Sequence, residues 1–534
     1  MTVSKAALAE RLEAIRAELE PLDIAASEAS WQLNVTGEER WQDASARLLI
    51  EIRTLLSRPE PYAFLREVAS TSTNGTDPLL HRQAVLLRNN AAPNQLPAAT
   101  IERIVRLETE LETAFNSFRA DLDGERSGEN RIREILETSD DLALRRRAWE
   151  ASKQIGAKVA PQLLELVRER NAAARELGYA NFYSMALELD ELDEDEVFGT
   201  LDVVVVGSQA AYESYKGRLD AGLAERFGVT VEELRPWHYG DPFFQEAPAP
   251  DLALDHWFEG RALEETVTEY FDAVGFDVRQ ILARSDLYER EGKCQHAFCS
   301  DIDRKGDVRI LCNLTASEYW MATLLHELGH GVYDDGIDPG LPYVLRTAAH
   351  LITTEASAML FGRLSRSAEW LARYTPMTAA EAAVVGDALT RARVAQHMHV
   401  ARWVPVMSHF ERELYRDPSQ DLNRLWWDLV ERFQLVTRPE ARDCPDWAAK
   451  IHFSTAPAYY QNYLLGEIVA SQLQEHLLTL TGGWERYVAS PEVATFLNDR
   501  LFRLGRSTDW RAAIEHATGR PLDAGPFLAE LAAA

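Results

Sequence analysis

The five residues His326-Glu327-Leu328-Gly329-His330 set two imidazoles and a carboxylate at a spacing that chemistry can use. On a helix, residues four apart lie on one face, one turn from each other, so both imidazoles can bind a single cation. Imidazole nitrogen suits zinc, and the glutamate between the histidines then lies where it can take a proton from water. The flanking residues predict the helix. Thr315-Ala-Ser-Glu318 reads as a capping box ahead of Tyr319, Trp320, Leu324 and Leu325, and Gly331 follows the motif.

A hydrolytic zinc takes three protein ligands and keeps a fourth position open. The extended pattern that supplies a third histidine fails here, because Tyr333 stands where glycine is required and Gly336 where the histidine should be. The remaining source is a carboxylate on a second helix. Over Arg346 to Leu364 the residues Leu351, Ile352, Glu355, Ala358 and Met359 share one face, and Glu355 interrupts the apolar stripe. A carboxylate on a buried face is unfavourable unless paired, and a metal cation is a suitable partner. Asp338-Pro339-Gly340 and Pro342 let the second helix turn back against the first. The expected ligands of one zinc per chain are therefore His326, His330 and Glu355, with Glu327 as the base. His350 on the same helix reads as an ordinary half-buried histidine.

Peptide or ester hydrolysis also needs donors aimed at the developing oxyanion. The segment AAKIHFSTAPAYYQNYLLGEI brings Lys450, His452, Tyr460 and Tyr463 within fourteen positions, more donors than a packing helix needs. The other histidines look structural: His397 and His399 alternate on a helix and cannot share a ligand face, and His409 lies beside Phe410. Trp426-Trp427 reads as packing.

The elements that must position these groups are helical. From Ser4 to about Leu122, and from Arg131 to Leu189, apolar residues recur at three and four, as in Ile101, Ile104, Val105, Leu107, Leu111 and Phe115. The segment QHAFCSDIDRKGDVRILCNL predicts two short strands around Arg304-Lys305-Gly306-Asp307, the one hairpin expected, and helical periodicity then resumes through Leu528. At 534 residues the chain exceeds the size of one ordinary core. The Pro- and aromatic-rich loop Arg235 to Asp255 divides it into an N-terminal helical lobe, 1–235, and a catalytic lobe, 256–534. The fold class is mainly α.

Composition narrows the partners. With 46% hydrophobic and 26% charged residues the chain is expected to fold and stay soluble. A net charge of −29 repels phosphate backbones, so nucleic acid is not an expected partner. The N-terminus MTVSKAALAERLEAIRAELE has no uninterrupted apolar stretch, and the longest apolar run, around Val203 to Val206, is far short of a membrane span. The expectation is a cytoplasmic protein, a monomer or weak homo-oligomer. Cys294, Cys299, Cys312 and Cys444 include no Cys-x-x-Cys pair and are expected as reduced thiols, and the acceptor tripeptides at Asn34, Asn74 and Asn313 then carry no weight.

The zinc motif and the Lys450–Tyr463 segment together resemble the angiotensin-converting-enzyme-like peptidyl-dipeptidases, glutamate-zincins related more distantly to oligoendopeptidase F and the thimet-type oligopeptidases. SEASWQLNVT (27–36), NAAARELGYANFYSM (171–185), QHAFCSDIDRKGDVRILCNL (295–314), LPYVLRTAAHLITTEA (341–356) and WVPVMSHFERELYRDPSQDLNRLWWDLVERFQ (403–434) are each similar to family segments. The resemblance implies a two-lobed helical ellipsoid with a deep central cleft and a small β-hairpin near the zinc site. It makes Tyr463 the oxyanion donor and His452 a transition-state support, and gives Lys450 and Tyr460 the peptide's C-terminal carboxylate. His296 and Ala297 match residues that bond the substrate backbone along an edge strand. The implied activity is release of dipeptides from short peptides. The alternatives are an oligoendopeptidase that cuts internally and a catalytically inactive peptide-binding protein. Four departures are visible: Met359 replaces an Asp that orients a zinc histidine, and Asn462 replaces a chloride-associated Arg. Trp237-His238-Tyr239-Gly240 covers the region of a carboxylate-binding Gln, and Cys294 and Cys312 only approximate a cysteine pair, offset by one.

Overall fold

Among the described residues, helices account for nearly all of the regular structure, interrupted by two short antiparallel hairpins. The computed structural model describes residues 4–71, 77–248 and 252–533, so the acceptor tripeptide at Asn74 lies outside the described residues. The chain gathers into two compact units, each drawn from three stretches. The first holds Met1–Gln95, Asp251–Arg393 and Leu465–Phe527; the second holds Leu96–Pro250, Val394–Leu464 and Leu528–Ala534. Where the sequence suggests one break between 235 and 256, the chain changes unit there and also after Gln95, Arg393, Leu464 and Phe527. Among the described residues, no helix is long and apolar enough to cross a membrane.

In the first unit, the N-terminal helices brace the connection between the two helices that carry the expected ligands. Ser4 caps the helix Lys5–Thr36 by accepting from the Ala7 N–H. Leu8, Leu12 and Leu19 of that helix join Leu55, Phe64, Leu65, Leu86 and Leu87 in an apolar cluster closed by Tyr343, Val344 and Leu345. Those last three residues form the turn that follows the motif helix, Glu318–Asp335, and precedes the glutamate helix, Leu351–Gly362. Each buried leucine contributes roughly 1.5–3 kcal/mol, so residues more than 250 positions away in sequence hold this turn in place. The same N-terminal helix reaches the predicted hairpin, where Trp31 meets Phe298 edge-on at 5.9 Å beside Ile302 and Leu311.

That hairpin pairs Phe298–Asp301 with Val308–Leu311, antiparallel, as the sequence predicts. Arg304 (φ 56°) and Gly306 (φ 103°) supply the left-handed backbone of its turn. Among the described residues, the strand Phe298–Asp301 pairs only with Val308–Leu311.

The second unit contains a hairpin that the sequence reading does not include. Ala120–Leu122 pairs with Glu125–Ser127 across Asp123 (φ 59°) and Gly124 (φ 85°). Three-residue strands are too short to show alternation, but Asp-Gly is the strongest short-range hairpin signal and would have found it. Helix Ala98–Ser117 packs on helix Gln154–Glu176, which carries the buried Arg170. Trp426 and Trp427 are buried, as packing residues should be, and the Trp427 indole donates to Asp446 at 3.2 Å.

Candidate metal centre and peptide-binding segment

Ser317, not Thr315, caps the motif helix, its hydroxyl accepting from the Trp320 N–H at 3.3 Å. Glu318, which the sequence assigns to a capping box, instead accepts from Ser365 (2.7 Å) and Arg366 (3.0 Å). Gly331 lies inside the helix, which runs on to Asp335. The His326 and His330 rings are 5.0 Å apart between centroids, on the face the spacing predicts.

Gly329 explains how the second helix comes close. A Cβ there would lie 2.6 Å from Ala358 Cα and 2.8 Å from the Ser357 carbonyl, so the two helices meet at backbone contact. Ser357 Oγ donates to the Gly329 carbonyl at 2.8 Å and locks the pair. The glutamate helix starts at Leu351, later than the periodicity from Arg346 suggests, because His350 is its N-cap: its Nδ1 accepts from the Ile352 N–H at 3.0 Å. His350 is therefore fully buried rather than half-buried. From this helix Glu355 Oε2 lies 3.9 Å from His326 Nε2, and His326, His330 and Glu355 offer ligand atoms within 4.8 Å of one another. Gly466 backs the site, since a Cβ at this position would stand 3.2 Å from both Glu355 Cβ and Met359 Sδ. Met359 thus packs against the helix Gln461–Thr481. On the glutamate helix, Thr354 Oγ1 lies 2.7 Å from His330 Nδ1.

Desolvation dominates the electrostatics. It pushes the His326 imidazole down to about 4 and that of His330 to about 3, the latter also through the neighbouring His326. Both rings are neutral at neutral pH, the form that ligates metal. Glu327, 7% exposed, is pushed up to about 8 by desolvation and by the Glu355 charge, against a hydrogen bond from the Cys299 N–H. A cation beside Glu327 and Glu355 would favour their ionised forms, and the N,N,O donor set is one that zinc accepts. The residues present fit the metal. His296 is exposed and Ala297 half-buried, and both lie directly ahead of the strand Phe298–Asp301, whose Cys299 touches Glu327.

In the second unit the Lys450–Tyr463 segment brings its expected residues together. The His452 and Tyr460 rings are 4.7 Å apart, Tyr460 and Tyr463 are 5.6 Å apart, and Lys450 Nζ is 5.9 Å from the Tyr460 ring. The segment is irregular and held from outside. Arg170 donates to the carbonyls of Phe453 (3.1 Å) and Ser454 (2.6 Å), and the Ala458 N–H, on a left-handed residue (φ 55°), donates to Glu411 at 3.0 Å. Gln245 is the residue the sequence reading missed: its Oε1 accepts from Lys450 Nζ at 2.5 Å. The buried Asp241 carboxylate fixes that loop by accepting from the N–H groups of Phe243 (2.9 Å), Gln245 (3.1 Å) and Glu246 (3.2 Å). Gln245 lies five positions beyond Gly240. Trp237 and Tyr239, in the Trp237–Gly240 tetrapeptide, accept from the buried Arg145 through their carbonyls (2.8 and 3.0 Å). Lys450 is pushed down to about 8 by burial, opposed by Asp241. Among the described residues no carboxylate lies within ion-pair distance of it. It opens on a cavity of about 350 Å³ lined also by Phe115, Phe118, Arg119, Arg133 and Gln245.

Beside this geometry stand two comparisons. No curated protein matches the chain. A match to Peptidase family M3 spans residues 135–533, most of the chain, and takes in both the motif helix and the Lys450–Tyr463 segment. It agrees with the glutamate-zincin metallopeptidase class read from the sequence and does not single out the angiotensin-converting-enzyme-like branch. A zinc-type donor set within a match of this extent leads to one assignment: the chain belongs to Peptidase family M3.

Proposed function

We propose that this chain is a zinc peptidase of short peptides that releases dipeptides from their C-terminus. The observation that carries the reading is the cluster of His326, His330 and Glu355, with ligand atoms within 4.8 Å, inside a peptidase-family match. A zinc ion held by these three residues supplies Lewis acidity, which polarises a carbonyl and eases ionisation of water near neutral pH. Glu327 takes the proton of the attacking water on its carboxylate and returns it to the leaving amine. Tyr463 donates its hydroxyl to the developing oxyanion, and His452 supports the same charge. His296 and Ala297 bond the substrate backbone as it lies along the hairpin. Lys450, Tyr460 and Gln245 hold the terminal carboxylate, a role supported by an ammonium without a carboxylate partner at the mouth of a cavity. With four free cysteines, a reducing compartment such as the cytoplasm fits the proposal.

The second reading is internal cleavage of short peptides, with which the family match is equally compatible. Hydrolysis of an N-blocked tripeptide, as free acid and as C-terminal amide, each with and without chelator, separates the two by product mass. The proposal expects chelator-sensitive release of a dipeptide from the acid alone. Equal cleavage of acid and amide favours the endopeptidase, and cleavage of neither by zinc-loaded protein leaves a peptide-binding protein.

A further inference from the structure

A histidine bound to metal through one ring nitrogen is oriented by what the other nitrogen bonds, and losing that partner weakens metal binding about 10–100-fold. His330 has such a partner: its Nδ1 lies 2.7 Å from Thr354 Oγ1. Thr354 immediately precedes Glu355, so adjacent residues of one helix carry a metal ligand and the support of another. The contact is rigid by construction. Thr354 sits in the first turn of the helix Leu351–Gly362, where a β-branched side chain has few rotamers. That helix is locked to the motif helix by the Gly329 backbone contact and by Ser357 Oγ donating to the Gly329 carbonyl. With Nδ1 engaged, Nε2 is the nitrogen left to ligate, so the Nδ1–H tautomer is the one that serves both ends of the ring. The partner is also neutral. A carboxylate in that place would add a further negative charge near Glu355, whereas a hydroxyl fixes the ring without one.

We propose that Thr354 is a positioning residue of the metal centre, its hydroxyl accepting the Nδ1 proton of His330 and holding the ring with Nε2 free for the metal. The inference rests on the reading of His326, His330 and Glu355 as zinc ligands. The test is the zinc dissociation constant of the full chain, measured by competition with a chromophoric chelator, for wild type, Thr354→Val and Thr354→Ser, alongside the melting temperature of each metal-free protein. Valine keeps the shape and removes the acceptor. The expected result is a zinc affinity about 10–100-fold weaker in Thr354→Val, restored in Thr354→Ser, with metal-free melting temperatures matching wild type. Zinc bound by Thr354→Val as tightly as by wild type overturns the inference and leaves the metal centre standing. A wild type that binds no zinc overturns both. If the valine variant does not fold, Thr354→Ala takes its place, and wild-type zinc affinity in that variant is equally contradictory.

Discussion

The metal centre and the Lys450–Tyr463 segment are assembled by opposite means. At the metal centre, two regular helices meet at backbone contact through Gly329, and every expected ligand sits on a helical register: His326 and His330 one turn apart on one helix, Glu355 on the other. The Lys450–Tyr463 segment runs through the one-turn helix His452–Thr455 and irregular backbone, with a left-handed non-glycine at Ala458, into the start of the helix Gln461–Thr481, and is held by side chains from remote parts of its own unit: Arg170, Glu411, and Gln245 on the Asp241 loop. A site built on regular helices is fixed by local sequence. One that includes irregular backbone depends also on distant partners.

Substitutions should separate the two regions. The largest effect is expected at the metal centre: Glu327→Gln should lower turnover about 10²–10⁴-fold while leaving bound zinc unchanged, checked by kinetics and metal analysis on one sample. Next comes the Lys450–Tyr463 segment. Losing a charge-assisted hydrogen bond of roughly 1.5–3 kcal/mol, Lys450→Met should reduce kcat/KM on free-acid peptides about 10–100-fold and leave C-terminal amides untouched; an equal loss on both would place Lys450 outside terminus recognition. Packing is tested by Gly329→Ala, whose Cβ would stand 2.6 Å from a backbone carbon. Overpacking of this kind typically costs about 1–3 kcal/mol and should lower the melting temperature and zinc affinity together. Gly217→Ala, on a helix of the second unit with nothing within 4 Å of the added atom, is the neutral control.

The smallest effect concerns pH. Burial raises the Glu411 carboxyl from an ordinary 4.5 to about 8. Between those values the folded chain keeps a proton that the unfolded chain has released, so this group's contribution to stability is complete below about pH 4.5 and lost as pH rises through 8. Glu411→Gln can still accept from the Ala458 N–H but cannot ionise. Its melting temperature should match wild type near pH 5 and exceed it at pH 8.5; curves that stay parallel would contradict the assignment.

Much of the metal centre was legible in the sequence because helical spacing converts directly into geometry. His326 and His330 needed only their spacing of four, and Glu355 only its place on an apolar face. What escaped was non-local or shorter than a period. Thr354 became visible as a partner of His330 only once the two helices were seen in contact, and Ser317 displaced Thr315 as the cap because Glu318 is drawn to Ser365 and Arg366. Gln245 could not be placed because a loop without periodicity offers no register, and five positions of drift along it change nothing that composition records. The hairpin at Asp123-Gly124 was missed for a different reason, since its dipeptide signal was present and its strands too short to support it.

On the proposed reading, His326, His330 and Glu355 hold the metal on which hydrolysis depends. This is tested most directly by metal analysis and peptide hydrolysis on wild type and Glu355→Ala, before and after chelation and zinc return. Wild type should carry one zinc per chain, lose activity with the chelator and regain it with zinc, and the variant should be deficient in both. Hydrolysis that survives complete removal of metal, or a Glu355→Ala chain that keeps zinc and activity, would contradict it.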